Sequence, residues 1–232
     1  MGHKLSVVIP VYNEIETLEE ILRQVKAVDV GFEKEIIFVD DYSADGTREL
    51  LKKIEKSGDE SIRIFYHEFN RGKGAALRTG FQQVTGDITL IQDADLEYDP
   101  RDYPKLIQPI LNGEADAVYG SRFSKGNQKA LFLNYAANKF LTTLSNLFTR
   151  LNLTDMETCY KVIKTSILRE IPLRSDRFGF EPEITAKLAK RKCRVIEIPI
   201  VYRGRDYTAG KKISWKDGVA ALVHIIRFRF RD

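Results

Sequence analysis

The sequence predicts an α/β fold, a mostly parallel sheet flanked by helices, on three observations. Short runs rich in Val, Ile and Phe alternate with amphipathic stretches through the first half of the chain, the order that builds a sheet covered on both faces. Gly, Asp or Asn clusters separate the stretches, which is turn chemistry. Polar and charged residues gather where the runs end. The carboxyl ends of parallel strands share one edge, and ligands bind in the crevice beyond it.

The runs read as strands at 5–10, 35–40, 62–66, 88–93 and 117–120, with helices at 15–28, 46–56, 74–84 and 101–112 between them. The second half is less regular. A helix is expected over 134–151, a polar turn over 152–157, helices over 164–171 and 182–192, and a last strand over 194–202. A loop rich in Gly, Arg and Lys follows, then a closing helix with Ser214 and Asp217 placed as a capping box.

At 232 residues with 43% hydrophobic and 30% charged side chains, the chain has the composition of a globular domain rather than a disordered or fibrous one. Cys159 and Cys193 stand apart with no metal-ligand spacing, so free thiols are expected. The chain enters its first strand at once and carries no apolar run of roughly 20 residues. The expected location is cytoplasmic, with peripheral attachment to the cytoplasmic face of a membrane open. Net charge is only +4, yet residues 185–232 hold thirteen Lys and Arg against four Asp and Glu. That end should face an anionic partner.

Four clusters sit at strand ends. Pro10-Val11-Tyr12-Asn13-Glu14 closes the first strand; the Tyr12 ring can stack on a base and Glu14 can accept from a base edge, or Asn13 and Glu14 can cap the next helix. After the second strand, Asp40 or Asp41 could take a ribose hydroxyl or a base N–H, while Ser43 and Asp45 suit a helix cap. Asp93-Ala94-Asp95-Leu96-Glu97 places three carboxylates at alternate positions past the fourth strand. Close carboxylates repel unless a cation lies among them, and Mg²⁺ or Mn²⁺ favours such oxygens while sharing its shell with phosphates. Ser121-Arg122 ends the fifth. Asn70-Arg71-Gly72-Lys73-Gly74 lacks P-loop spacing, which favours a tight turn over direct phosphate contact.

Together these segments resemble the inverting family 2 glycosyltransferases of GT-A fold, and within them the dolichol- or polyprenyl-phosphate mannosyltransferase branch, over about residues 5–212. The resemblance implies a catalytic domain over 1–212 and a basic amphipathic helix or tail over 213–232. It assigns the nucleoside to Pro10, Tyr12, Glu14 and Asp40, and the diphosphate to Asp93 and Asp95; Asp41 and Ala94 are counted with them in the nucleotide-sugar site. The Mg²⁺ or Mn²⁺ ion goes to Asp93, Asp95 and Glu97, with Glu97 standing where many members have Gln. Gly120-Ser121-Arg122 matches the family's G-[ST]-R element, and Arg205 with Lys211 matches its late Arg-x5-Lys pair.

The reaction implied moves a hexose from GDP-mannose or a UDP-sugar, with inversion, to a lipid phosphate. Such a phosphate is already ionised near neutral pH, its second pKa being about 6, and needs no general base. The alternative acceptor is a sugar hydroxyl on a glycan, which needs a carboxylate base: Asp155 or Glu157, and less favourably Glu181. Asp95, Arg122, Asp155 and Glu157 are the candidate catalytic residues. On the closing helix Trp215, Val219, Leu222 and Ile226 share one face beside Arg227, Arg229 and Arg231. This face suits packing on the domain or contact with a membrane surface. A nucleic-acid-binding role leaves Asp93, Asp95 and Glu97 unexplained, and no nucleic-acid partner is expected.

Overall fold

The computed structural model describes residues 2–123, 132–177, 179–204 and 215–230. A seven-stranded sheet runs through its centre in the order β3-β2-β1-β4-β6-β5-β7. The strands are β1 (Lys4–Val11), β2 (Glu33–Asp40), β3 (Ile62–Tyr66), β4 (Ile88–Ile91), β5 (Ala117–Ser121), β6 (Lys161–Lys164) and β7 (Val195–Pro199). β1 pairs in parallel with β2 and β4, β2 with β3, and β5 with β7. β6 runs antiparallel between β4 and β5, so β4 and β5 point the same way. The carboxyl ends of β1, β2, β4 and β5 therefore meet at one edge, as the sequence predicts.

The helices are α1 (Leu18–Ala27), α2 (Thr47–Lys56), α3 (Lys73–Phe81), α4 (Tyr103–Leu111), α5 (Phe132–Thr149), α6 (Thr165–Glu170), α7 (Phe180–Lys190) and α8 (Trp215–Phe230). In α1 the apolar residues Leu18, Ile21 and Val25 are fully buried, the i, i+3, i+7 stripe of a helix lying on a sheet. The central strands are covered on both faces: Val7, Val8, Ile9, Ile37, Phe38, Val39 and Leu90 are all at 0% exposure. Such strands read as continuous β-branched runs. One polar bundle is buried with them near the amino ends of the strands, where Ser6 Oγ donates to Glu35 Oε1 (2.5 Å) and Thr85 donates its N–H (2.6 Å) and hydroxyl (2.9 Å) to the same carboxylate.

Several boundaries differ from expectation. The fourth strand stops at Ile91 rather than at 93; just past it, Gln92 accepts the hydroxyls of Tyr103 and Tyr160 on its side-chain oxygen, both at 2.7 Å. The polar turn is followed by β6, which the sequence reading did not contain. The last strand ends at Pro199, and Tyr202 instead makes an isolated bridge to Tyr98. Among the described residues no helix is long and apolar enough to cross a membrane.

The closing helix also turns a different face inward. Ala221, Ile225 and Phe228, an i, i+4, i+7 set, are buried against the body, whereas Ile226 is exposed and Leu222 only partly covered. Phe228 lies beside α7, its ring centre 5.3 Å from Lys187 Nζ. The expected boundary between residues 212 and 213, and Ser214 of the predicted capping box, lie outside the described residues.

Candidate active site

The end of β1 is stapled to the turn after β2. Asn13 sits at φ 52°, a left-handed conformation that Asn tolerates. Its N–H donates to Ser43 Oγ (2.9 Å), its side-chain oxygen accepts from Ala44 N–H (2.8 Å), and Glu14 N–H donates to Thr47 Oγ1 (2.9 Å). Asp45 caps the start of α2 through Thr47 N–H (3.0 Å) and also holds Ile15 N–H (3.1 Å). The turns thus fixed present two aromatic rings to solvent, Tyr12 at 39% and Tyr42 at 48% exposure. Glu14 accepts from the Thr17 hydroxyl at 3.0 Å.

The two adjacent aspartates have separate duties. Asp40 is fully buried; Arg48 Nε binds its Oδ2 at 2.6 Å, and Ser43 N–H its Oδ1 at 3.1 Å. Arg48 in turn lies within 5.3 Å of the Tyr42 ring centre and 5.5 Å of that of Tyr66. Asp41 receives His67 Nδ1 (2.7 Å) and the N–H groups of Arg71 (2.8 Å) and Gly72 (2.7 Å). Its carboxylate is committed to holding the Asn70–Gly74 segment, so those N–H groups face Asp41 and the segment is a tight turn. Gly72 has φ 94°. A Cβ at Gly72 would lie 2.4 Å from Asp176 O, and one at Gly74 2.3 Å from Ser175 O, so the turn packs backbone to backbone against the loop that leads into α7.

That turn delivers Lys73 to the acidic triplet. Its Nζ lies 2.9 Å from Asp93 Oδ1, 3.1 Å from Asp93 Oδ2 and 3.3 Å from Glu181 Oε1. Burial would pull the ammonium pKa down, but Asp93 and Glu181 outweigh it and hold it well above the usual lysine value. Cys159 is buried nearby; burial and the Asp93 charge push its thiol pKa up, leaving a neutral thiol. Asp95 Oδ1 accepts from Glu97 N–H (3.1 Å) across Leu96, which has φ 61°.

Glu97 is also engaged by the segment after β7. Tyr202 donates its hydroxyl to Glu97 Oε2 at 2.7 Å, and Arg203 N–H binds Glu97 O at 2.8 Å. The first bond turns the carboxylate toward the segment after β7, and the second ties the Glu97 backbone to the same segment. Among the described residues no three Asp, Glu, His or Cys side chains gather closely enough to hold a metal by themselves. Asp93 and Asp95 remain as hard oxygen donors at alternate positions past β4. Such a set fits Mg²⁺ or Mn²⁺ when substrate phosphates complete the shell, the usual arrangement for Mg²⁺.

At the end of β5, Arg122 and Asp155 form a two-pronged ion pair: Nε to Oδ2 and Nη2 to Oδ1, both 2.7 Å, with Arg122 N–H on Oδ2 at 3.0 Å. Asp155 is fully buried. Burial opposes the Arg122 charge, yet Asp155 holds its pKa well above the ordinary arginine value. The guanidinium also lies 5.2 Å from the Tyr202 ring centre, so Tyr202 touches both Arg122 and Glu97. Beneath the pair, Glu197 on β7 accepts the N–H groups of Thr154 (2.6 Å) and Asp155 (2.9 Å). Burial pushes the Glu157 carboxyl pKa up, helped by the negative charge of Glu181.

Of the residues predicted for the site, Tyr12, Glu14, Asp40, Asp93, Ala94, Asp95, Glu97, Arg122, Asp155 and Glu157 all lie at or just behind the shared edge, Pro10 lies next to last in β1, before Val11, and Asp41 stands behind the Asn70–Gly74 turn. Arg205 and Lys211 lie outside the described residues. Glu197 and Tyr202 were not singled out in the sequence, and Lys73 entered only as part of the Asn70–Gly74 turn. Lys73 carried a signal, a cation in a glycine turn at the same edge; Glu197 and Tyr202 carried none.

The family model for glycosyl transferase family 2 matches residues 6–172. Among curated proteins the chain is similar to dolichol-phosphate mannosyltransferase of Pyrococcus furiosus, 30% identical over 220 residues, covering 90% of this chain and 60% of that protein. It is 31% identical to undecaprenyl-phosphate 4-deoxy-4-formamido-L-arabinose transferase of Salmonella paratyphi A, covering 90% of this chain and 62% of that one. Against undecaprenyl-phosphate mannosyltransferase of Micrococcus luteus it is 29% identical, covering 97% and 93%. The chain spans about 60% of the length of the first two relatives. Among solved structures, glucosyl-3-phosphoglycerate synthase from Mycobacterium tuberculosis, crystallised with Mn²⁺, UDP and phosphoglyceric acid, superposes with a TM-score of 0.76 at 19% identity over 100% of this chain and 80% of that one. That likeness establishes the fold, and the family match establishes the lineage: the chain belongs to glycosyl transferase family 2 and has its GT-A α/β architecture.

Proposed function

We propose that this protein transfers a hexose, with inversion, from GDP-mannose or a UDP-sugar to a polyprenyl or dolichyl phosphate, using Mg²⁺ or Mn²⁺. One observation carries the reading: Asp93 and Asp95 stand at the strand edge between an exposed aromatic pair, Tyr12 and Tyr42, and the Arg122–Asp155 clamp. The aromatic side suits a nucleoside, the carboxylates a metal–diphosphate, and the guanidinium a second anion. The metal, held by Asp93 and Asp95, would supply charge to the departing diphosphate. Asp40 with Tyr12 and Glu14 would bind the nucleoside, and Arg205 and Lys211 would meet the diphosphate from the basic segment.

The state of the candidate bases favours a phosphate acceptor over a sugar hydroxyl. Asp155 is engaged on Arg122 by both oxygens, and Glu157 holds its proton above the usual carboxyl range. Asp155 is thus committed to a cation rather than free to take a proton, and an ionised phosphate needs no base. Arg122 then serves as the acceptor-side cation, with Asp155 orienting its fork. A membrane-surface acceptor also accords with exposed apolar side chains on two packed helices, Phe140 (61%) and Leu147 (73%) on α5, Val223 (56%) and Ile226 (45%) on α8. These, with the basic end of the chain, support peripheral contact with the cytoplasmic face of a membrane.

The test is a donor and acceptor screen: the protein, Mn²⁺, a panel of UDP- and GDP-sugars, and polyprenyl phosphate, followed by extraction into organic solvent. A labelled sugar in the organic phase is the expected result; label only on water-soluble glycans points to the hydroxyl acceptor.

A further inference from the structure

Behind the Lys73–Asp93 pair lie three buried oxygens with no hydrogen-bond partner: Glu157 Oε1, Thr158 Oγ1 and Glu181 Oε2. Glu181 is 4% exposed and Thr158 fully buried. Buried polar atoms are nearly always paired, and a carboxylate oxygen left without a donor is costly. Glu157 and Glu181 are near enough to act on each other's charge. Three orphans in one neighbourhood mark a place prepared for a donor-rich guest.

The surroundings define that guest. Two ammonium groups already stand there: Lys73 on Glu181 Oε1 (3.3 Å) and Lys161, whose Nζ donates to Met156 O (3.0 Å) and Thr158 O. A further cation would meet both of them, whereas neutral hydroxyl groups would complete the carboxyl and threonine oxygens without adding charge. Lys73 links this neighbourhood to Asp93, and Lys73 and Asp93 are its solvent-reaching members, at 18% and 21% side-chain exposure. The place is therefore next to the proposed diphosphate, where the donor's sugar ring must lie.

We propose that Glu157, Thr158 and Glu181 form the pocket that receives the hydroxyl groups of the transferred hexose, and so determine which sugar the enzyme accepts. This rests on the reading of the chain as a nucleotide-sugar transferase. Glu181 and Glu157 bind the sugar in this assignment; neither acts as a base toward an acceptor. Buried oxygens that need hydroxyl donors reject a sugar lacking one more strongly than an apolar wall could.

Binding without acceptor tests it. Wild type, Glu181→Gln, Glu157→Gln and the milder Thr158→Val are titrated in Mn²⁺ with GDP, GDP-mannose, UDP and UDP-glucose, with thermal unfolding as the folding control. For the nucleotide that binds, the bare diphosphate should bind all four proteins within about twofold, while its sugar conjugate weakens roughly 10- to 100-fold in the Glu variants and less in Thr158→Val. A sugar conjugate that binds every variant as it binds wild type overturns the assignment, the orphans then being met by water alone. Equal weakening of diphosphate and conjugate overturns it too, placing these residues under the diphosphate. If no nucleotide or nucleotide-sugar binds wild type, the transferase reading fails and takes this one with it, an outcome distinct from the other two.

Discussion

Arg122 and Asp155, separated by 33 positions in the chain, face each other through two parallel 2.7 Å bonds, with the carboxylate wholly buried and the guanidinium side chain only 12% exposed. Opening such a pair from one side leaves an uncompensated charge in the interior, which typically costs about 3–5 kcal/mol. Asp155→Asn should therefore lower the urea midpoint substantially. Arg122→Lys keeps the charge but loses the planar fork. It should raise KM for the phosphate acceptor by roughly tenfold while leaving nucleotide-sugar binding close to wild type, a difference that steady-state kinetics and titration resolve.

The backbone contact beneath Lys73 gives a steric prediction. A methyl at position 74 would lie 2.3 Å from Ser175 O, and backbone oxygens yield little. Gly74→Ala should destabilise the fold by about 1–3 kcal/mol and weaken donor binding, since the loop it displaces leads into α7 and Glu181. Denaturant unfolding and nucleotide titration on the same variant check both parts.

Two carboxylates predict how stability falls in acid. The Asp116 pKa is depressed by its bonds from Arg194, against partial burial and with help from Lys164. Glu35 would be raised by burial, but the bonds from Ser6 and Thr85 prevail and lower it below its ordinary 4.5. A group whose folded pKa is depressed contributes stability that is present above its unfolded pKa and lost as pH falls through the folded one. Below about pH 4.5 these two groups should make the urea midpoint drop, and Asp116→Asn should flatten that acid limb.

Glu157 carries the opposite sign. Its folded pKa is raised by burial and by Glu181, so its contribution is complete below the unfolded value near 4.5 and is lost as pH rises through the folded one. Glu157→Gln, which is neutral at every pH, should match wild type near pH 4.5 and exceed it in thermal midpoint at neutral and mildly alkaline pH. A buried carboxyl retained at the expense of stability is what a binding role would explain.

The sheet was legible in the sequence because β1, β2, β4 and β5 are buried on both faces and so appear as unbroken apolar runs ending in polar residues. β6 was not. Its four residues, Lys161–Lys164, begin and end on lysine, and it is a strand because β4 and β5 leave a slot between them. The fully buried Lys161 is satisfied by the carbonyls of Met156 and Thr158, a pairing no local pattern announces. Likewise the pair Asp40-Asp41 cannot reveal that Asp41 is taken by His67, Arg71 and Gly72, which lie 26 to 31 positions away. The helical stripe through Leu222 and Ile226 had the right period, but the neighbouring stripe through Ala221, Ile225 and Phe228 is the one that packs inward, a choice between adjacent faces that tertiary contact makes and periodicity does not.

Asp93 and Asp95 are proposed to form the metal–diphosphate site on which sugar transfer depends. The most direct measurement is transfer of labelled hexose from its nucleotide-sugar to polyprenyl phosphate by wild type and Asp95→Ala, each with Mn²⁺ and with EDTA. Wild type should be active only with the metal, and Asp95→Ala should lose at least about a hundredfold of that activity while unfolding at a similar temperature, the scale expected when a metal's electrostatic assistance is removed. Full metal-dependent transfer by Asp95→Ala, or transfer by wild type that EDTA leaves untouched, would contradict it.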